Sequence, residues 1–152
     1  MHINPDHFLS TEAGRVVTHE RNVQAWRLSY LAFQQALEQA SYLAEVYVLI
    51  GAQGAGKSTW AKSFHQEQPN AIIFDAILVK AEERLPIISA AQVRGIPVIA
   101  VFFDTPLSVC LVRNAKRPED EVVSEQALKN VFSAIEWPEL SEGFSQILHV
   151  DL

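Results

Sequence analysis

The sequence predicts an α/β, three-layer fold built on a small, mainly parallel sheet of about four strands. Three observations carry this. From Glu45 onward, apolar runs of strand length alternate with helical stretches. The first run, Val46-Tyr47-Val48-Leu49-Ile50, is continuously apolar rather than alternating, as expected of a strand covered on both faces. A glycine-rich turn follows it directly and leads into a helix.

The elements are expected in this order. Residues 1–45 read as an N-terminal helical extension packed on the core. No Pro or Gly interrupts residues 19–44, and Val23, Trp26, Tyr30, Phe33 and Leu37 follow the spacing of one helical face. That stripe suits packing on the chain's own core or on a partner. Residues 46–152 form the second part. After the strand at 46–50, a helix is expected from Lys57 to Gln66, stopping before Pro69. A second strand ends at Asp75. A helix closed by Gly95 follows, and Pro86 places its start near Leu85. Pro97 to Phe103 is a third strand, ending at Asp104. Pro106 to Asn114 is helical. Ser124 caps a helix that runs to Glu136, and Gln146 to Val150 is a last strand. Four strands leave part of the sheet uncovered, and the helix around Trp26 is expected to cover it.

Composition narrows the function classes. The chain has 152 residues, 49% of them hydrophobic, which suits a single domain with a full core. Its formal charge of −6 disfavours a broad nucleic-acid or anionic-membrane surface. The N-terminus has no basic region followed by an apolar stretch, so no secretory leader is expected. No apolar run is long enough to span a membrane. The single cysteine, Cys110, excludes an internal disulfide and reads as a small buried hydrophobe. A cytoplasmic location is expected. Composition does not fix the oligomeric state.

The turn after the first strand is Gly51-Ala52-Gln53-Gly54-Ala55-Gly56-Lys57-Ser58. It meets the phosphate-loop pattern G-x-x-x-x-G-K-[ST] in full and in the strand–turn–helix context that the pattern requires. Average composition would produce the pattern by chance in roughly one chain in a few hundred of this length. Each residue type has a task. Glycines turn the backbone and bring bare amides to an anion. The helix beginning at Lys57 adds free N–H groups and its positive end. Lys57 is expected on the β- and γ-phosphates, Ser58 on Mg²⁺ and Thr59 near the α-phosphate. The expected ligand is ATP with Mg²⁺. No Asn-Lys-x-Asp guanine-reading motif occurs, since Lys129-Asn130 lacks its flanks, so GTP is not expected.

Asp75, at the carboxyl end of a neighbouring strand, is placed to bind Mg²⁺ through water or to accept a proton. Asp104 has the same placement but precedes Pro106 closely, which suits a turn. Arg84 reads as a ligand-facing or a surface residue. His7, His19, His65 and His149 are scattered and have no metal-site spacing. Trp26, Trp60 and Trp137 read as core or rim packing.

Three further stretches resemble the polynucleotide-kinase-like, AAA-type branch of P-loop kinases. They are Val98 to Arg117 (VIAVFFDTPLSVCLVRNAKR), Phe74 to Arg84 (FDAILVKAEER) and Glu142-Gly143-Phe144 before the last strand. The resemblance covers residues 46–150. It implies that Arg113 and Arg117, with Lys116 a weaker candidate, form a lid over the nucleotide phosphates. It also implies a kinase that transfers the γ-phosphoryl group of ATP to a hydroxyl of a nucleic-acid 5′ end or a small metabolite. Such kinases carry an extra strand with an Asp-x-x-Arg motif between the loop helix and the strand ending in Asp. Here only residues 63–70 fill that interval. Either the segment that supplies the base is absent or Asp75 has taken over its task. An absent segment would favour a nucleotide-binding module or slow ATPase.

Overall fold

A computed structural model describes residues 1–151. The strands are β1 (His2–Ile3), β2 (Ser10–Thr11), β3 (Gly14–Arg15), β4 (Val46–Ile50), β5 (Ile72–Asp75), β6 (Val98–Phe103) and β7 (Gln146–Val150). The helices are α1 (His19–Gln39), α2 (Lys57–Glu67), α3 (Ala81–Val93), α4 (Leu107–Ala115) and α5 (Glu125–Ala134). Five strands form one parallel sheet in the order β1-β5-β4-β6-β7. β2 and β3 form a separate small hairpin. Among the described residues, no helix is long and apolar enough to cross a membrane.

Alternation along the strands sorts the core into two layers. Val46, Val48, Ile50, Phe74, Ala100 and Phe102 face α1 and α3, meeting Phe33, Leu37, Ile87 and Ile88. Leu49, Ile73, Val101 and Phe103 face the opposite layer, with Ala61 of α2, Cys110 of α4 and Leu128 of α5. Helices on both faces explain why the strands read as unbroken apolar runs. Cys110 is fully buried, as its sequence neighbours suggested.

The sheet has one strand more than the four read from the sequence. His2 and Ile3 pair with Ile73 and Phe74, so residues from the chain's N-terminal part complete the sheet beside β5. The division at residue 45 therefore cuts across one sheet. The core face of α1 is also rotated from the expected stripe. Ala25, Ser29, Phe33, Ala36 and Leu37 are its buried residues, whereas Val23 is exposed. Trp26, Tyr30 and Phe33 nonetheless gather around Phe74, with ring centroids 6.4, 5.8 and 5.5 Å from it. α1 thus covers part of the sheet, as expected.

Two helix limits differ from the sequence reading. α3 begins at Ala81, not near Leu85, and carries Pro86 inside it. The first-turn donors are satisfied without help from residue 86. The Lys80 N–H donates to Glu83 Oε1 at 3.1 Å and the Ala81 N–H donates to Glu136 Oε2 at 2.9 Å. α5 ends at Ala134, before the expected Glu136. There the chain turns extended, and the Glu136 N–H donates to the Val79 carbonyl at 2.7 Å.

Candidate functional site: a phosphate loop facing an N-terminal wall

The loop from Gly51 to Gly56 leaves β4 and opens α2, at the carboxyl ends of the parallel strands. Gly54 and Gly56 have φ of +79° and +104°, a region that side-chain-bearing residues rarely enter. Gly51 has an ordinary φ. Space favours glycine there, because a Cβ would lie 3.1 Å from the Phe103 Cβ and 3.2 Å from the Ala55 Cβ. Thr105, a buried residue that the sequence reading passed over, donates its hydroxyl to the Ala55 carbonyl at 3.0 Å and braces the loop. Asp104 beside it is exposed and does not line the cleft.

The loop also packs on the helix expected to carry the lid. A Cβ at Gly54 would sit 2.6 Å from the Cys110 carbonyl oxygen of α4. Gly54→Ala is therefore expected to lose at least about 1–2 kcal/mol from the left-handed backbone alone. The steric clash adds to this. Thermal denaturation should show the loss, and a triphosphate titration of the same variant should show weakened binding.

Lys57 is buried, and its Nζ donates to the Gly51 carbonyl at 2.6 Å, holding the ammonium inside the loop. Burial pulls its pKa down, while the carboxylates of Asp75 and Asp6 push it back up. Ser58, in the first turn of α2, donates its hydroxyl to Asp75 Oδ2 at 2.8 Å. Two elements thus bring together the pair that the sequence reading assigned to a metal.

Asp75 is almost fully buried at the end of β5. Its Oδ2 also accepts from Asn4 Nδ2 at 3.1 Å and lies 2.9 Å from His2 Nε2. Burial alone would raise the carboxyl pKa. The hydrogen bond with His2, the charge of Lys57 and the hydrogen bond from Ser58 outweigh it, and the group stays below the usual carboxylate range. Asp75 is held as an anion.

Arg113 and Arg117 both line the cleft, and Arg113 Nη1 donates to the Gly54 carbonyl at 3.4 Å. α4 ends at Ala115, so Arg113 lies on the helix and Arg117 beyond it. Lys116 is exposed and lies outside the cleft. Asn114 between them is buried. Its amide donates to the Val123 carbonyl at 2.7 Å and its Oδ1 accepts from the Val123 N–H at 3.1 Å. Asn114 thereby fixes the path of the chain after the helix.

The cleft has a volume of about 770 Å³. Its floor comes from Ala52, Gln53, Gly54, Gly56, Lys57, Ser58 and Thr59, and Ala55 lies buried behind them. Its far wall comes from residues the sequence reading left unassigned, among them Asn4, Asp6 and Arg15. Arg15 Nη2 donates to Glu121 Oε1 at 2.9 Å and Nη1 to Asp6 Oδ2 at 3.4 Å, while its backbone N–H donates to Asp120 Oδ2. The β2–β3 hairpin is thereby tied to the segment after α4. His7 also lines the cleft, edge-on to His2 with centroids 5.0 Å apart. Burial, followed by the neighbouring His2, lowers the His7 pKa.

Arg84 is not at the site. It is fully buried and far from a surface role, bonding Glu142 and three backbone carbonyls. Trp60 stacks on Phe64 at 4.6 Å and Trp137 packs on Phe102 at 4.9 Å, so both serve packing, while Trp26 also reaches the cleft rim.

Ser58 and Asp75 offer hard oxygen donors, the type that Mg²⁺ prefers. No cluster of three or more His, Cys, Asp or Glu suited to a metal occurs among the described residues. Mg²⁺ does not need one, since it keeps several waters and takes its remaining ligands from one or two side chains and the substrate phosphates. The residues present fit a nucleotide-borne Mg²⁺.

Comparison with known proteins agrees with this architecture. A family model described as an AAA domain matches residues 67–137. That stretch holds β5, α3, β6 and α4, with Asp75, Arg113 and Arg117, and lies outside the phosphate loop. No curated protein matches the chain. The fold is that of a P-loop NTPase: a parallel five-stranded sheet, helices on both faces and a phosphate loop after a central strand.

Proposed function

We propose that this chain binds Mg-ATP and transfers the γ-phosphoryl group to a hydroxyl acceptor held between the phosphate loop and the N-terminal wall. The observation that carries this reading is the cleft itself. It continues past the loop to residues 4–7, 9–10, 15 and 120–123, and we read that extension as the place for an acceptor beside the phosphates. A module that only held nucleotide would not need that extension.

The roles follow from the geometry. The loop amides from Gly51 to Gly56, the tip of α2 and Lys57 bind the phosphates. Ser58 and Asp75 would hold a Mg²⁺, which would supply positive charge against the phosphates. Arg113 and Arg117 meet the charge that spreads over the transferring group. Lys57 emerges from Gly51 as the nucleotide enters.

Asp75 is a weak proton acceptor, because three side chains hold its Oδ2 and its pKa lies below the usual carboxylate range. Asp6 fits that task. Its side chain is 43% exposed in the cleft wall, only Oδ2 is engaged by Arg15, and its charge acts on Lys57 across the cleft. A hydroxyl between the two would meet a carboxylate on one side and the γ-phosphoryl on the other.

Incubating the protein with labelled Mg-ATP and a panel of small polyols, nucleosides and nucleic-acid 5′ ends tests the reading. A kinase labels one acceptor. Label appearing only as free phosphate would support a slow ATPase instead. With the acceptor in hand, Asp6→Asn is expected to lower kcat by about 100-fold or more while leaving Mg-ATP affinity near the wild-type value. Steady-state kinetics and a binding titration read the two quantities separately.

A further inference from the structure

Two of the side chains that bond Asp75 come from β1 and the residue just after it, 73 and 71 positions earlier in the chain. His2 Nε2 lies 2.9 Å from Asp75 Oδ2, and Asn4 Nδ2 donates to the same oxygen at 3.1 Å. Neither contact is a loose surface pairing: the His2 side chain is 10% exposed, Asp75 2%, and Asn4 is buried. Ser58 Oγ is the third partner of that oxygen. All three contacts fall on Oδ2, and no described residue donates to Oδ1. The carboxylate is thus anchored by one oxygen, with the other left for solvent or a hydrated ion.

We propose that His2 and Asn4 are positioning residues of the nucleotide–metal site, so that docking of β1 and binding of Mg-ATP favour each other. This rests on the Mg-ATP reading above. The argument has two parts. First, mobile carboxylates make poor partners for a hydrated Mg²⁺, and hydrogen-bonded neighbours that fix them affect metal affinity strongly. Here the neighbours are His2 and Asn4. Second, β1 is a two-residue strand at the sheet edge, paired only with β5. So short a strand holds itself weakly by backbone pairing. Besides the burial of Ile3 and the bonds of Met1 to Ala71 and Ile73, side-chain contacts to Asp75 help to fix it. Anything that binds better when Asp75 is oriented must bind better when β1 is docked, and the coupling is reciprocal.

Asn4 has a second function that the test must separate. Its Oδ1 accepts from the Asp6 N–H at 2.9 Å and caps the short turn at residues 5–8. His2 has no such duty, so it gives the cleaner variant. His2→Leu removes the donor, whereas His2→Gln keeps an N–H group at similar reach.

Calorimetric titration of the full chain with ATP, once in excess Mg²⁺ and once in chelator, reads the effect without any turnover. His2→Leu and Asn4→Ala are expected to weaken Mg-ATP binding about 10-fold or more while leaving metal-free ATP binding within about 2-fold of wild type. His2→Gln should recover most of the loss. In the wild type, Mg-ATP should slow amide exchange in β1 more than metal-free ATP does.

Equal losses in both buffers, or no loss in either, would overturn the positioning role. Equal losses accompanied by a lowered melting temperature without ligand would assign His2 and Asn4 to stability alone. A wild-type chain that binds no triphosphate in either buffer would overturn the Mg-ATP reading, and this inference with it.

Discussion

Lys57→Ala is expected to abolish at least half of the thermal stabilisation that Mg-ATP gives the wild-type chain. The side chain is buried in the phosphate loop, where its ammonium is held by the Gly51 carbonyl. Burial lowers its pKa, and the charges of Asp75 and Asp6 offset part of that effect. Removing it deletes the only cation supplied by the loop itself. A charge-assisted hydrogen bond of this kind is worth about 1.5–3 kcal/mol, or roughly one to two decades in Kd. Ligand at 100 times Kd stabilises a protein by about 2.7 kcal/mol, which is about 5–10 °C for a domain of this size. At the same ligand concentration the variant should keep about 0.4–1.4 kcal/mol, half of that shift at most. Its melting without ligand should stay near the wild-type value, because the loop is also held by Thr105 and by packing on α4. Differential scanning of both proteins with and without Mg-ATP checks both halves.

Arg84→Ala is expected to give the largest loss of fold stability. Arg84 is 0% exposed. Its Nε and Nη2 meet the two Glu142 oxygens at 2.8 and 2.9 Å. Nη1 donates to the carbonyls of Leu78, Val79 and Glu136 at 3.1, 3.0 and 3.1 Å. One guanidinium thus joins the loop before α3, the segment after α5 and the turn before β7. Truncation leaves Glu142 largely buried without its partner and takes a donor from three carbonyls, of which only that of Val79 keeps another, the Glu136 N–H. Breaking such a pair costs about 3–5 kcal/mol, which should lower the melting temperature by about 10 °C or more. Arg84→Lys should recover little, since an ammonium cannot supply the fork. Because Arg84 lies away from the cleft, the Mg-ATP affinity of whatever remains folded should change little. Thermal melting and titration below the transition check these two expectations.

Arg84 also shows where sequence reasoning stops. A charged residue on a helix is ordinarily exposed, and only acceptors brought from positions 136 and 142 by the tertiary fold make burial tolerable. The phosphate loop was legible for the opposite reason. Its tasks require particular residues at fixed local spacing, and the flanking strand and helix sit beside it in the chain. β4, β6 and β7 were legible too, since each is a mostly apolar run of five or six residues. β1 was not, because two residues carry no period and their partners lie about 70 positions away. The far wall of the cleft was hidden with it. Asn4-Pro5-Asp6 reads as a polar turn, and nothing local says that the turn faces Lys57.

A titration of the full wild-type chain with ATP in excess Mg²⁺ tests the central claim most directly. The account predicts saturable binding at one site per chain, lost or greatly weakened in Lys57→Ala. A wild-type chain with no measurable affinity for ATP, or for any other nucleoside triphosphate, would contradict it.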